Sequence, residues 1–431
     1  MAKTAAEIGQ ILADAKSEIR KEWARLATLQ KKLEGKLIRT WTPDNADLEY
    51  RDLLRKASAP WLMFARDCIA QGVIIDGYTD AEVWAKAWQD NGMDGRQHAI
   101  TKEAIGLGKS FIMHLPAENG RIVMRGISSL STYAVYKDPW DDYPAWALTR
   151  IGKRKANFWN SDWYFFDNEG SYRFTGDIAT PQDLEFTAHS LGETPVVMIS
   201  NTLAMEGEPL SSVESAITTY ERIVDATFTL EMVQRYGAFP QKWMAGGEIA
   251  KDENGNALVR SSVDGLLHAS GTSGETARFG SFASASLSDV VTALDAHIKH
   301  LAAVCQVPPH YLLGAVINMS AEGIAAAESG YFRNIGERQS SLGEGYELAL
   351  RTAAAMLGQT AAADDTSSQV HFADVSTRSL AQISDAIVKL SAVGAPLELL
   401  FAMIPGWSKT DVLEAARQAL EAKRELLAIE Q

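Results

Sequence analysis

The hydrophobic period of this chain changes several times along its length, and each regime lasts long enough to demand its own layer of structure. From about residue 5 to 37, Ile8, Ile11, Leu12, Ile19, Trp23, Leu26, Leu29 and Leu33 recur mostly three, four and seven apart, with Lys, Glu and Arg between them. That spacing places one apolar stripe on a helix, and the stripe needs a surface to rest on, in the same chain or a neighbour. Residues 47–92 read as helical again, with Trp61, Leu62, Phe64 and Ala65 in one run and Trp84 and Trp88 a turn apart. Near Gly106 the period drops towards two. Runs at 110–115, 121–127, 133–136, 145–151, 162–166 and 172–174 are aromatic and β-branched, and turns such as Asn119-Gly120 and Asn168-Glu169-Gly170 separate them. They predict an antiparallel meander, with 194–199 as a further strand.

Beyond Pro209 helices return. Ser211 or Ser212 is placed to cap a helix to about Tyr236, striped by Val213, Ile217, Tyr220, Val224, Phe228 and Met232. Residues 237–285 are rich in Gly and Ser and predict a small β-rich insertion with strands near 239–244, 257–260 and 265–269. A second helix is expected over about 287–306, capped by Ser286 or Ser288, carrying Val290, Leu294, Ile298 and Leu301, and stopped by Pro308-Pro309. An apolar loop, 311–319, leads to a third helix over 320–357. Its Gly330, Gly336, Gly343 and Gly345 predict a bend or very close packing. After a polar stretch at 360–368, a strand at 370–375 and helices at 379–393, 397–403 and 409–429 complete an α+β chain.

At 431 residues the chain exceeds what one core organises, so two or more regions are expected. The formal charge of −14 argues against a protein that grips nucleic-acid phosphates, because such affinity comes from a surplus of Lys and Arg. It does not argue against one past which DNA slides. Cys68 and Cys305 give no disulfide framework and read as buried thiols of a reducing compartment. The first 39 residues carry charge throughout, and no stretch approaches the roughly 20 apolar residues that span a bilayer. A soluble chain made in the cytoplasm, without membrane association, is expected.

The motifs that resemble chemistry fail on spacing or context. Gly106-Leu107-Gly108-Lys109-Ser110 looks like the end of a phosphate loop, but Glu103 stands where the first glycine belongs, and a helix precedes it where a strand should. It reads as a helix C-cap. Gly271-Thr272-Ser273-Gly274 is one residue short of a nucleophile elbow. Asp138, Asp141 and Asp142 around Pro139-Trp140 read as a polar turn. His297 and His300 lack a convergent third ligand, since Cys305 lies too far along the same helix. No catalytic residue, metal or cofactor is expected.

What remains is an ordered series: Gly192-Glu193-Thr194-Pro195-Val196-Val197, a helix, Phe239-Pro240-Gln241-Lys242-Trp243, an insertion, a helix, Val307-Pro308-Pro309-His310-Tyr311-Leu312-Leu313-Gly314, and Asn318-Met319-Ser320-Ala321-Glu322-Gly323-Ile324-Ala325-Ala326-Ala327-Glu328. In this order the segments resemble the portal proteins of tailed bacteriophages, especially those of actinobacterial phages and prophages. The resemblance covers about residues 100–350, and the third segment carries one extra residue before Gly314.

The resemblance implies a portal fold. Residues 1–210 would form N-terminal helices and a β-rich wing, 211–236 and 286–306 two stem helices, and 237–285 a clip. Residues 307–319 would form a tunnel loop, 320–357 a long kinked helix, and 358–431 a wing strand and helical crown. It implies a ring, usually of twelve copies, at one vertex of the virion capsid, assembled in the host cytoplasm, through which double-stranded DNA enters and leaves without being read for sequence. Partners would be other copies of the chain, the large terminase, a head–tail adaptor, and the major capsid or scaffold protein. Tunnel-loop candidates are Leu312, Leu313, Ala315, Val316, Ile317, Asn318 and Met319. Stem candidates for the lumen are Glu221, Asp225 and Glu231 (with Glu214, against Arg222 and Arg235), then Asp289 and Asp295 against Lys299. A net negative lumen lets phosphates slide. Clip docking would use Gln241, Lys242 and Trp243. Rival readings are an enzyme whose site assembles from distant residues, and a different head–tail ring protein, a class usually much shorter.

Overall fold

The computed structural model describes residues 2–37, 48–117, 120–152, 161–189, 191–202, 205, 208–237, 242–245, 248–249, 269–270, 278–281, 286–314, 321–373, 380–404, 407 and 409–429. The chain divides into two compact units. One comprises Met1–Leu37, Pro60–Ile217 and Ala302–Gln431, and the other Ile38–Ala59 and Thr218–Leu301.

The larger unit begins with α1 (Ala5–Leu33), which Thr4 opens with a capping box to Glu7. After α2 (Leu48–Ala57) of the smaller unit come α3 (Trp61–Gln71), β1 (Ile75–Tyr78), the short α4 (Ala81–Val83) running into a π-helical turn Trp84–Gln89, and α5 (Met93–Leu107). Next are β2 (Lys109–Pro116), β3 (Ile122–Ile127), β4 (Thr132–Val135), β5 (Trp146–Ile151), β6 (Ser161–Phe166), β7 (Gly170–Asp177), β8 (Thr180–Ala188) and β9 (Val196–Ser200). Expectation and structure part here in three places. Residues 75–78 form a strand inside a stretch read as helical. β8 stands where none was expected. The strands also make two sheets, a five-stranded meander β4-β5-β6-β7-β8 and a three-stranded sheet β3-β2-β9, where one meander was expected.

The meander gives α1 its partner surface. Ile8, Leu12, Ile19 and Trp23 bury against Leu148, Trp163, Phe165, Tyr172, Phe174 and Ile178. Each such side chain removed from water contributes about 1.5–3 kcal/mol, so this stripe decides the helix more than propensity does. Trp23 stacks on Trp163 at 6.1 Å and donates its indole N–H to the Thr132 carbonyl at 3.0 Å. Alternate residues of the same strands point the other way. There Ala147 and Phe166 meet Phe111, Met113 and Val196 of the three-stranded sheet. The order is therefore helix, sheet, sheet, and α5 and α9 (Ala321–Met356) cover the last face.

α9 runs through 36 residues. Close packing explains two of the four glycines singled out from the sequence. A Cβ on Gly345 would lie 2.9 Å from the Met198 carbonyl oxygen of β9, and Gly343 packs against Phe372 and Val370, whereas the space beside Gly330 and Gly336 is open. The expected polar stretch after α9 holds the short α10 (Thr360–Asp364). β14 (Val370–Phe372) then pairs antiparallel with β1, Ile75 opposite Phe372. On its other side β1 has a side chain instead of a strand: the carboxamide of buried Gln97 accepts from the Ile75 N–H at 2.8 Å and donates to the Ile75 carbonyl at 2.9 Å. Asn91 treats the edge of β3 likewise, accepting from Met124 N at 2.9 Å and donating to Ile122 O at 3.3 Å. Helices α11 (Leu380–Ala392), α12 (Leu397–Phe401) and α13 (Lys409–Ile429) follow.

In the smaller unit, α6 (Ile217–Gly237) starts four residues later than a Ser212 cap would give. Ser211 accepts from Val213 N at 3.2 Å and closes a local turn, and a 3₁₀ turn, Glu214–Ala216, comes between. The Tyr50 ring meets Phe228 edge-on at 4.7 Å, and α6 buries Tyr220, Ile223 and Val224. The insertion carries two antiparallel strand pairs, β10 (Lys242–Ala245) with β13 (Arg278–Ser281) and β11 (Glu248–Ile249) with β12 (Ala269–Ser270). The expected strand at 257–260 lies outside the described residues. α7 (Leu287–Val304) returns the chain to the larger unit.

Candidate functional site

The chain re-enters the larger unit through a tight sequence of turns. After α7, Gln306 takes φ +54°, Val307 N–H donates to Ala302 O at 2.9 Å, and Pro308-Pro309 opens a five-residue helix, α8 (Pro309–Leu313). Pro309 suits this first turn because its missing N–H would be unpaired there anyway. Gly314, at φ +64°, ends it with its N–H on the His310 carbonyl. Residues 307–313 were expected to be loop, and the structure makes 309–313 helix, with Leu312 buried and Leu313 half-buried. The other tunnel-loop candidates, Ala315, Val316, Ile317, Asn318 and Met319, lie outside the described residues.

Two turns into α9, Glu328 is only 5% exposed. The Tyr311 hydroxyl donates to its Oε1 at 2.9 Å, and His310 Nε2 lies 3.3 Å from the same oxygen. One turn further, Tyr331 packs edge-on to Tyr311 with centroids 5.8 Å apart and donates to the Cys68 carbonyl of α3 at 2.6 Å. Burial first, then the adjacent carboxylate, pushes the Tyr311 phenol well above its ordinary range, and burial pushes Tyr331 up to about 12. Both hydroxyls therefore stay protonated and donate. The thiols are free and buried, with Cys305 pushed up to about 12 by burial, so it is a poor nucleophile. The cluster ties α8, α9 and α3 together. Its two halves come from the third and fourth segments of the ordered series, and no sequence pattern had joined Glu328 to Tyr311.

The departure from the larger unit is equally built. Asn201, fully buried, donates from its backbone N–H to Gly108 O at 2.9 Å and from Nδ2 to Leu210 O at 2.7 Å, and accepts from Ser212 Oγ at 3.1 Å. Gly108, at φ +94°, caps α5, and a Cβ there would fall 2.2 Å from the Pro209 carbonyl oxygen. The apparent phosphate loop is thus a helix terminus, and its Lys109 is buried between Glu22 of α1, at 3.1 Å, and Glu208. Arg25 completes the chain of charges to Glu22, at 2.9 Å, and Glu214, at 4.0 Å. Glu214, counted with the lumen charges from sequence, is therefore tied to α1.

Of the stem candidates, Asp225 on α6 and Asp289, Asp295 and Lys299 on α7 are exposed, and Glu221 and Glu231 are half-buried. Leu287 and Val291, 45% and 43% exposed, continue the line of Leu294, Ile298 and Leu301 along α7, the last two buried. Lys242 and Trp243 lie in β10, paired with Ser281 and Gly280, and Gln241 lies outside the described residues. Asp138 forms a turn in which its backbone N–H and Oδ1 bond Asp141 and Trp140. Among the described residues no three His, Cys, Asp or Glu side chains gather to hold a metal, and no helix is long and apolar enough to cross a membrane.

Residues 70–426 match the family model described as phage portal protein, SPP1 Gp6-like. Among curated proteins, the portal protein of Mycobacterium phage D29 is 26% identical over 355 residues, covering 76% of this chain and 71% of that one. The portal protein of Mycobacterium phage L5 is 29% identical over 216 residues, covering 48% of this chain and 43% of that one. Among solved structures, a chain of the virion of a native gene transfer agent particle aligns over 88% of this chain and 99% of its own, with a TM-score of 0.48 and 13% identity.

Proposed function

The chain belongs to the SPP1 Gp6-like phage portal protein family, and on that footing we propose that copies of it close into a ring, usually of twelve, that conducts double-stranded DNA into and out of a capsid. The observation that carries the ring is the apolar line on α7. Leu287 and Val291 continue a stripe whose other end is buried, yet stand exposed in a single chain. Lateral packing against the next copy would cover them, and repeated head-to-tail contacts of that kind close a ring. α6 and α7 are the stem helices in this reading. Asp225, Asp289 and Asp295 are exposed on them, and facing a lumen they would repel phosphate and let DNA slide.

The segment after Gly314 is the proposed constriction loop. The β10–β13 pair, with Lys242 and Trp243 in β10 and Gln241 preceding them in sequence, is the proposed docking surface for terminase during packaging and for a head–tail adaptor afterwards. The ring sits at a capsid vertex, in contact with the major capsid or scaffold protein, after assembly in the host cytoplasm. The protein acts as a conduit and not as a catalyst. Negative-stain microscopy of the purified chain tests the ring, and a monomer that persists at high concentration under all conditions removes it. Deleting 315–319 is expected to leave rings intact and impair packaging or retention of DNA; normal packaging would remove the constriction loop.

A further inference from the structure

We propose that Glu328 is the positioning residue that fixes how the constriction segment is held at its two described ends, Gly314 and Ala321. The inference rests on reading 315–320 as that segment, but its structural part can be tested without DNA. The six residues join a five-residue helix to a 36-residue one. A helix as short as α8 has little stability of its own and takes its orientation from what it is fastened to. Leu312 supplies one buried apolar contact. The directional bonds are those on Glu328 Oε1, from Tyr311 at 2.9 Å and with His310 at 3.3 Å. Glu328 is in turn set by α9, and the turn that follows it is tied to α3 by the bond from Tyr331 to Cys68 O. The carboxylate therefore transmits the position of the rigid α9–α3 pair to the residue pair just before Gly314. A glutamate only 5% exposed is costly to keep unless both bonds are made, which makes the arrangement two-sided: bonded and ordered, or unbonded and displaced.

The test uses the full chain with Glu328→Ala, Glu328→Gln and Tyr311→Phe. Hydrogen exchange is followed over 307–314 and, as an internal reference, over β5–β7. Rings are checked by microscopy, and packaged genome is measured in a phage lacking its own copy. Loss of a bond to a buried charged acceptor should raise exchange in α8 about tenfold in Glu328→Ala. Exchange in β5–β7 and ring formation should stay unchanged, and packaged genome should fall. Glu328→Gln, which keeps an acceptor for Tyr311, should recover most of both losses. Tyr311→Phe removes the same bond from a side chain that is 36% exposed, and so serves if Glu328→Ala folds poorly. Exchange in α8 within twofold of the parent overturns the proposal. So does raised exchange with undiminished packaging, or a loss spread equally over β5–β7. If instead the 315–319 deletion packages normally, the constriction reading falls, while α8 exchange still decides whether Glu328 is the clamp.

Discussion

Gln97 takes the place of a missing strand, and its removal has a calculable cost. The side chain is 3% exposed and bonds both backbone groups of Ile75, itself 2% exposed. Gln97→Met keeps the volume and deletes both bonds, leaving a buried N–H and C=O unpaired at about 1–3 kcal/mol each. Some of that is offset by burying an apolar side chain, so a net loss of roughly 2–4 kcal/mol is expected. Exchange of the Ile75 amide reads this directly. At about 1.4 kcal/mol per factor of ten, its rate should rise between roughly thirty-fold and several hundred-fold. Asn91→Leu is the companion variant, because it removes the bonds to Met124 N and Ile122 O at the edge of β3, residues that are 0% and 6% exposed. The groups it orphans are as buried as those of Ile75, so exchange of the Met124 amide should rise to a similar extent. A rise of less than about fivefold at both amides would show that burial of the orphaned groups does not set the cost.

Two further outcomes follow from packing and charge. Gly345→Ala should lower the melting temperature, because the 2.9 Å approach to a backbone oxygen forces α9 off β9 at about 1–3 kcal/mol, more than helix propensity returns, while Gly336→Ala, with open space beside it, should raise it. His114 is fully buried on β2, and burial pushes its imidazole down to about 4. Above pH 6.5 both folded and unfolded chains hold it neutral. Between 6.5 and about 4 the unfolded chain takes up a proton that the folded chain refuses, costing about 3 kcal/mol by the lower end. His114→Met should flatten the fall in melting temperature over that window, and an unchanged pH slope would refute the assignment.

The long periodic segments were legible because their pattern is local. α1, α7, α9 and α13 lie within a few residues of where spacing put them, and the strand runs from β2 to β7 likewise. What failed was set by distant partners. Ile75–Tyr78 is four residues with a glycine, too short to show a period, and is a strand because residues 369–372 lie beside it. β8 shows no alternation, since most of its residues are exposed at the edge of the sheet. The split into two sheets depends on β2 pairing with β9, a contact no period encodes. At the junctions the difficulty is chemical. A buried glutamate reads like any solvated one, so Glu328 drew notice only as the end of a motif, and Lys109 drew it only as a false phosphate ligand.

The pairing of β1 with β14 also bears on synthesis. Thr79 and Gln369 bond across 290 residues, so the layer they close cannot form until almost the whole polypeptide has left the ribosome. At about 5–20 residues per second, that leaves roughly 15–60 s in which the emerging N-terminal part has apolar faces awaiting residues not yet made. α1 and the meander can condense early, since they need nothing beyond residue 188. The surfaces meant for α9 wait. Expression at low temperature, or with holding chaperones, acts on this interval rather than on the finished molecule.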